Sequence, residues 1–192
     1  MSEFLTFVHL GFRHIADLGA GDHILFLLAL AAIYRARDWQ DSLWVISAFT
    51  VGHSITLAMA ATGALRIPVP LIEFLIPLTI LATGIENVMG GRYRPVFAGA
   101  FGLVHGAGFA SYLQSLFTGS IVVPLFGFNV GIELGQLVVL GAAALLLAGI
   151  DGLLAVVRQS SASPSAYRLR VLGVSTVVML VAAKMAAARS PW

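Results

Sequence analysis

The feature that most constrains the fold is a long apolar run from Ile121 to Val157, which contains only two charged residues, Glu133 and Asp151. A membrane-spanning helix needs about 20 mostly apolar residues, so this run is long enough to cross a bilayer. The whole chain has the same character, because 59% of its residues are hydrophobic and 10% are charged, against about 45–50% and 25% in soluble domains. The sequence therefore predicts an all-α, polytopic membrane helical bundle.

Shorter apolar runs predict five further spans, joined by short polar connections. The six predicted spans cover residues 22–34, 42–62, 71–89, 95–117, 121–157 and 171–188 of a single integral membrane domain, residues 1–192. Residues 2–17 are too short and too polar to cross, and they predict an N-terminal half-helix at one membrane interface. Gly19 and Gly21 would then let the chain reverse tightly before the first span.

Arginine placement predicts the orientation of these spans. With the N-terminus outside, the connections that carry arginines 35, 37, 92, 94, 158, 168 and 170 all fall on the cytoplasmic side, as positively charged loops generally do. We therefore expect both termini outside. The same placement explains an isoelectric point near 9.4 at a net charge of only +2, so lipid rather than nucleic acid is the expected surrounding.

Ionisable side chains occur inside several predicted spans, where each is costly to insert and is therefore a functional candidate. At 1.5 Å per residue, His53, His105 and Glu133 lie at similar depths, roughly 15–18 Å from the outer surface. His23 would lie shallower, on the order of 5 Å in, and Glu86 deeper. Because the chain has no cysteine, a metal held here would be bound by nitrogen and oxygen.

The alternative to a metal site is structural, since a lone histidine or glutamate in a bundle often only fixes helix packing through a hydrogen bond. For Glu86 alone, the structural explanation is as good as metal binding. It is weaker for three histidines and a glutamate at compatible depths on separate helices.

The glutamate, Glu133, also belongs to a polar stripe at i, i+4 and i+7, formed by Asn129, Glu133 and Gln136. A neighbouring stripe of glycines at 127, 131 and 135 should let another helix approach closely.

The stretch RHIADLGAGDH, from Arg13 to His23, concentrates ionisable groups at the start of the first span. We interpret it as half of a site through which a metal ion enters. Asp17 and Asp22 would attract the hydrated cation, and His14 and His23 would begin to replace its water ligands.

Four stretches resemble the HupE/UreJ family of small bacterial membrane proteins and, more distantly, the nickel/cobalt permeases. They are FRHIADLGAGDHILFLL, FTVGHSITL, FGLVHGAGFA and FNVGIELGQ. The resemblance implies a multi-pass protein of the bacterial inner membrane that handles a divalent metal. The metal-handling residues it implies are His14, Asp22, His23, His53, His105 and Glu133. The secondary candidates are Asp17, Ser54, Glu86, Asn129 and Gln136.

Three functions are compatible with these residues. The first is a transporter for Ni²⁺, Co²⁺ or Zn²⁺, with nickel favoured because the family names refer to hydrogenase and urease systems, which depend on nickel. The second is an intramembrane metalloenzyme in which three histidines and a carboxylate leave a coordination position open for an activated water. The third is an accessory protein that delivers metal. The transporter is the main prediction, with no catalytic residue and no organic cofactor, and the sequence leaves the oligomeric state open.

Overall fold

The computed structural model describes residues 2–19, 21–90, 94–116, 120–157 and 165–192. Within them the chain forms seven α-helices, a single 3-10 turn at Ala36–Asp38 and no strand. The helices are α1 (Glu3–Ala16), α2 (Asp22–Ile33), α3 (Trp39–Ala61), α4 (Val69–Met89), α5 (Arg94–Leu116), α6 (Val122–Val157) and α7 (Ala166–Ala188). The prediction of an all-α membrane bundle preceded by an N-terminal half-helix is therefore confirmed.

Local sequence explains where several helices begin and end. The Ser2 side chain accepts a hydrogen bond from the Leu5 backbone N–H at the start of α1, and the Ser165 side chain does the same for Arg168 at the start of α7. Serine is a favoured residue at this position because its oxygen satisfies a free N–H of the first turn. Gly90 ends α4 in the left-handed conformation, with φ of 74°, which glycine adopts without steric cost.

Four helices among the described residues are long and apolar enough to cross a membrane, namely α3, α4, α7 and the Val122–Leu153 part of α6. In contrast, α2 has only 12 residues. At 1.5 Å per residue it is about 18 Å long, which is too short to cross a hydrocarbon core of about 30 Å. Helix α5 (Arg94–Leu116) is not among the four either, so the predicted count of six crossings exceeds the number of candidate spans by two, α2 and α5.

The helices pack most extensively as three pairs, α3 with α5, α1 with α6, and α4 with α7, while α2 packs against α4, α6 and α7. Glycines bring the α3–α5 pair into backbone contact. A Cβ atom on Gly102 would overlap the carbonyl oxygen of Phe49, and one on Gly106 would overlap that of His53. These glycines therefore fix the position of the α3 backbone at His53.

The α1–α6 pair is also in backbone contact, and its two helices run parallel. Going along both helices, Gly127 faces Phe4, Gly131 faces Val8 and Gly135 faces Ile15. The glycine stripe of α6 thus admits a close neighbour, as expected from the sequence, and that neighbour is α1.

The short helix α2 runs in the same direction as α1 and α6. The ring of His23, at its start, contacts the rings of His14 and His53, both of which contact Phe128 in the early part of α6. At its far end, α2 is bound to Arg170, which pairs with Asp151 in the late part of α6. Helices α1 and α2 therefore follow one another along α6, and together they resemble one interrupted crossing.

This arrangement corrects two expectations. The predicted reversal at Gly19 and Gly21 is wrong, because the chain continues in the same direction after the break. His23 also lies level with His53 and His105 rather than at a different depth, because α1 precedes it along α6. Both errors come from treating α1 as an interfacial helix, since the sequence does not show that α1 packs lengthwise against α6.

Candidate metal centre

Three histidines from three helices converge inside the bundle. His14, His23 and His53 each offer a ring nitrogen, and these nitrogens lie within 4.8 Å of one another. The ring centroids of His14 and His23 are 4.6 Å apart, and that of His53 lies 6.0 Å from His14 and 6.3 Å from His23. Two nitrogens bound to one metal at about 2.0–2.1 Å are at most about 4.2 Å apart. A small inward movement would therefore place all three around one ion.

The break between α1 and α2 brings His14 and His23 together. His14 lies in the last turn of α1 and His23 in the first turn of α2. Between them, the Asp17 carboxylate accepts a hydrogen bond of 2.8 Å from the Gly19 backbone N–H. This local turn is typical of aspartate. Two histidines with eight residues between them thereby become neighbours, which a continuous helix would not allow.

The ring nitrogens of this cluster lack hydrogen-bond partners although they are buried. Among the described residues, the unpartnered atoms include Nε2 of His14, Nε2 of His23 and both ring nitrogens of His53. His53 is completely buried, and His23 is 7% exposed. Buried side-chain polar atoms nearly always have a partner in folded proteins. Four unpartnered nitrogens in one place could therefore hold a ligand.

Aromatic rings surround the histidines. Phe109 and Phe128 are stacked with their centroids 5.2 Å apart, and the His14 ring lies 4.1 Å from Phe109. On the other side, Phe49 contacts His23 and His53. Such an apolar surrounding limits the access of water and strengthens the interaction of neutral imidazoles with a cation.

His105 lies beside the cluster and is held by a threonine. Its ring centroid is 5.2 Å from that of His23, and its Nε2 lies 3.0 Å from Thr79 Oγ1. The Thr79 hydroxyl already donates to the Ile76 carbonyl oxygen, so Nε2 of His105 must carry the proton and donate to Thr79. Its Nδ1 then presents a lone pair, and Nδ1 is buried without a partner. His105 is thus oriented as a metal ligand commonly is, although it does not belong to the converging three.

The acidic members of the predicted set are placed differently. Both carboxylate oxygens of Asp22 accept hydrogen bonds from Arg189, at 3.0 and 3.2 Å. This ion pair connects the start of α2 to the end of α7. Glu133 is partly exposed on α6 and is not one of the residues that converge with the histidines in the described part of the chain. In the described part of the chain, no carboxylate oxygen therefore joins the three imidazole nitrogens that lie within 4.8 Å of one another.

The secondary candidates are also dispersed. Gln136 is buried and accepts a hydrogen bond of 2.9 Å from the Thr50 hydroxyl. The Ser54 hydroxyl donates to the Thr50 carbonyl oxygen within α3. Asn129 has a buried, unpartnered Oδ1, and Glu86 has a buried, unpartnered Oε1. Glu86 lines a small cavity with Arg94 and Phe26, closer to the far end of α2.

Thr79 was not among the residues predicted for the site. A signal was present, because Thr79, Thr83 and Glu86 follow each other at helical spacing on α4 and would share one face. Arg189 was not predicted as the partner of Asp22 either. These residues are 167 positions apart, and no local pattern connects them.

The fold and the site define a helical membrane protein with a buried histidine cluster that could bind a metal ion. The sequence matches the family described as HupE / UreJ protein over residues 1–188, so the chain belongs to that family. No curated protein and no solved structure matches the chain.

Proposed function

We propose that the chain is a membrane permease for a divalent transition metal, with Ni²⁺ as the favoured substrate. The observation that carries this proposal is the convergence of His14, His23 and His53, with unpartnered ring nitrogens, at a break in a membrane helix. Transporters commonly bind their substrates near the bilayer midplane at such interrupted helices. Membership of the HupE/UreJ family, which is associated with nickel and cobalt uptake or delivery, favours the same substrate class.

The ion would bind first to the three converging imidazoles, with His105 as the nearest further ligand through Nδ1. In this scheme Asp22 and Glu133 act as carboxylate partners, and Asp22 would have to exchange its contact with Arg189 for one with the ion. Nitrogen and oxygen ligands without thiolate suit Ni²⁺, Co²⁺ and Zn²⁺. The chain offers only such ligands, because it contains no cysteine.

Equilibrium binding of Ni²⁺ to purified protein tests the site directly. We expect His53→Ala to weaken binding by more than about tenfold, since losing a ligand costs at least as much as losing a group that orients one. Glu73→Ala is the matched control, because it removes an exposed ionisable group from α4 and should leave affinity unchanged. Unchanged affinity in His53→Ala would contradict the proposal.

Flux measurements separate the permease from the two alternative functions. A permease in proteoliposomes should move Ni²⁺ down its gradient, and His53→Ala should abolish that flux. The metalloenzyme alternative is favoured by the open coordination position that three histidines leave. It predicts a stoichiometric metal that survives chelator washing. An accessory delivery protein would bind Ni²⁺ but give no flux.

A further inference from the structure

One exposed stripe along α1 and its two capping residues is polar along its whole length. One side of the helix, including Phe4, Val8 and Gly11, packs against α6. The opposite side presents residues at i, i+4, i+7, i+11 and i+15, which form one continuous stripe. The residues of this stripe are Ser2, Thr6, His9, Arg13 and Asp17, and all five are exposed.

This polar stripe runs beside a candidate membrane span. Helix α1 packs along the Gly127–Gly135 part of α6, inside a segment long and apolar enough to cross the bilayer. Exposed side chains at the same level of α6 are apolar, as Leu134 and Val138 illustrate. Facing lipid with an arginine and an aspartate is strongly unfavourable. Wherever it lies within the bilayer, the stripe must therefore face water or another protein.

A cavity of about 780 Å³ adjoins this stripe. His9, Arg13 and Asp17 line it from α1, and Phe109 and Tyr112 line it from α5. The cavity also reaches His14, so it ends at the histidine cluster. The cavity on the other side of the cluster, lined by Phe26 and Glu86, has a volume of only about 10 Å³, close to the space that one water molecule needs.

We propose that α1 and α5 line a water-filled vestibule that leads from the α1 end of the bundle to His14. Among the described residues, the cavity at this end is far larger than the one lined by Phe26 and Glu86. The identity of the ion that uses the vestibule rests on the proposed function, but the presence of water in it does not. A hydrated cation would lose its water only at the bottom, where the surrounding rings begin.

Because the natural chain has no cysteine, single cysteine variants report on water access without a background signal. The test labels Arg13→Cys and Leu134→Cys with a charged, membrane-impermeant thiol reagent in proteoliposomes. Leu134 is the matched control, because it is 46% exposed at the level of α6 that faces the last turns of α1. We expect Arg13→Cys to react at least about tenfold faster, since lipid excludes the charged reagent. His9→Cys should behave like Arg13→Cys.

Equal and slow labelling of both variants would overturn the proposal. If Arg13→Cys is unreactive and the protein also forms a crosslinkable dimer, a second copy covers the stripe, which overturns it as well. Each variant must retain the gel-filtration profile of the natural protein.

Adding Ni²⁺ tests the proposed function separately. Fast labelling of Arg13→Cys in a protein that does not bind Ni²⁺ would support the vestibule and refute the metal site.

Discussion

The two ends of α2 differ in how far their polar groups are satisfied. At the C-terminal end, the carbonyl oxygens of Ala32 and Tyr34 accept hydrogen bonds from the Arg170 guanidinium, and that of Ile33 accepts one from Tyr167. At the N-terminal end, the His23 ring lies among other imidazoles with its Nε2 buried and unpartnered. The first end is fully satisfied by the protein itself. At the second end Asp22 is paired with Arg189, but the His23 imidazole still lacks a partner for Nε2.

The difference indicates which polar groups serve stability and which serve binding. Free carbonyls at a buried helix end must find donors, because burial removes the water that would otherwise bind them. Arg170 supplies them, and its charge is balanced by Asp151 at 2.6 Å. Leaving several imidazole nitrogens unpartnered lowers stability, and such a cost is typical of functional sites. Substitutions at the two ends should therefore have opposite effects on folding.

The largest effect on folding is expected for Arg170→Met. It removes the donors for two carbonyl groups and leaves Asp151 without its cation, which should cost about 2–4 kcal/mol of stability. Thermal unfolding in detergent measures the loss as a lower Tm. A variant with natural stability would show that the C-terminal end of α2 is satisfied in another way.

His23→Leu should separate stability from binding at the opposite end. Without metal, the variant should be as stable as the natural protein or more stable by up to about 1 kcal/mol, because it replaces an unpartnered polar group by an apolar one. Its Ni²⁺ affinity should fall by more than about tenfold.

Asn87→Leu provides the contrast for His23→Leu. Its Nδ2 donates to the Ala29 carbonyl oxygen and to the Ser175 hydroxyl, so the same replacement should cost about 1–3 kcal/mol. Equal destabilisation by the two variants, measured by thermal unfolding without metal, would remove the distinction between partnered and unpartnered groups.

The smallest effect is expected for Thr79→Val, which keeps the side-chain shape but removes the hydroxyl that orients His105. Metal affinity should fall by about tenfold, as for other groups that orient a ligand, with a change in stability below about 1 kcal/mol. Thr176→Val, at an exposed position of α7, is the control and should bind metal normally. Ni²⁺ titration that gives one affinity for both variants would exclude a positioning role for Thr79.

Much of the fold follows from the sequence, because helix length and apolar character are local properties. The runs that form α3, α4, α6 and α7 are visible without a structure. The glycine stripe of α6 predicted a close neighbour, since small residues leave room for one. It did not identify α1 as that neighbour, because residue spacing within one helix carries no information about its partner.

The candidate site could be predicted only in part for the same reason. Histidine is an infrequent residue in an apolar span, so His23, His53 and His105 stood out. The predicted depth of His23 was wrong because it assumed that α1 lies at the membrane interface. Asp22, which is expected to attract the incoming cation, is paired with Arg189, and this partner comes from the other end of the chain.

The three converging histidines belong to different packed units of the bundle. His14 is carried by the α1–α6 pair, His53 by the α3–α5 pair, and His23 by α2, which packs mainly with α4, α6 and α7. No single helix pair therefore supplies all three ligands of an ion. A tilt of one unit by a few degrees would change the distances between the imidazoles. The affinity of the site for a cation therefore depends on how the three units are arranged.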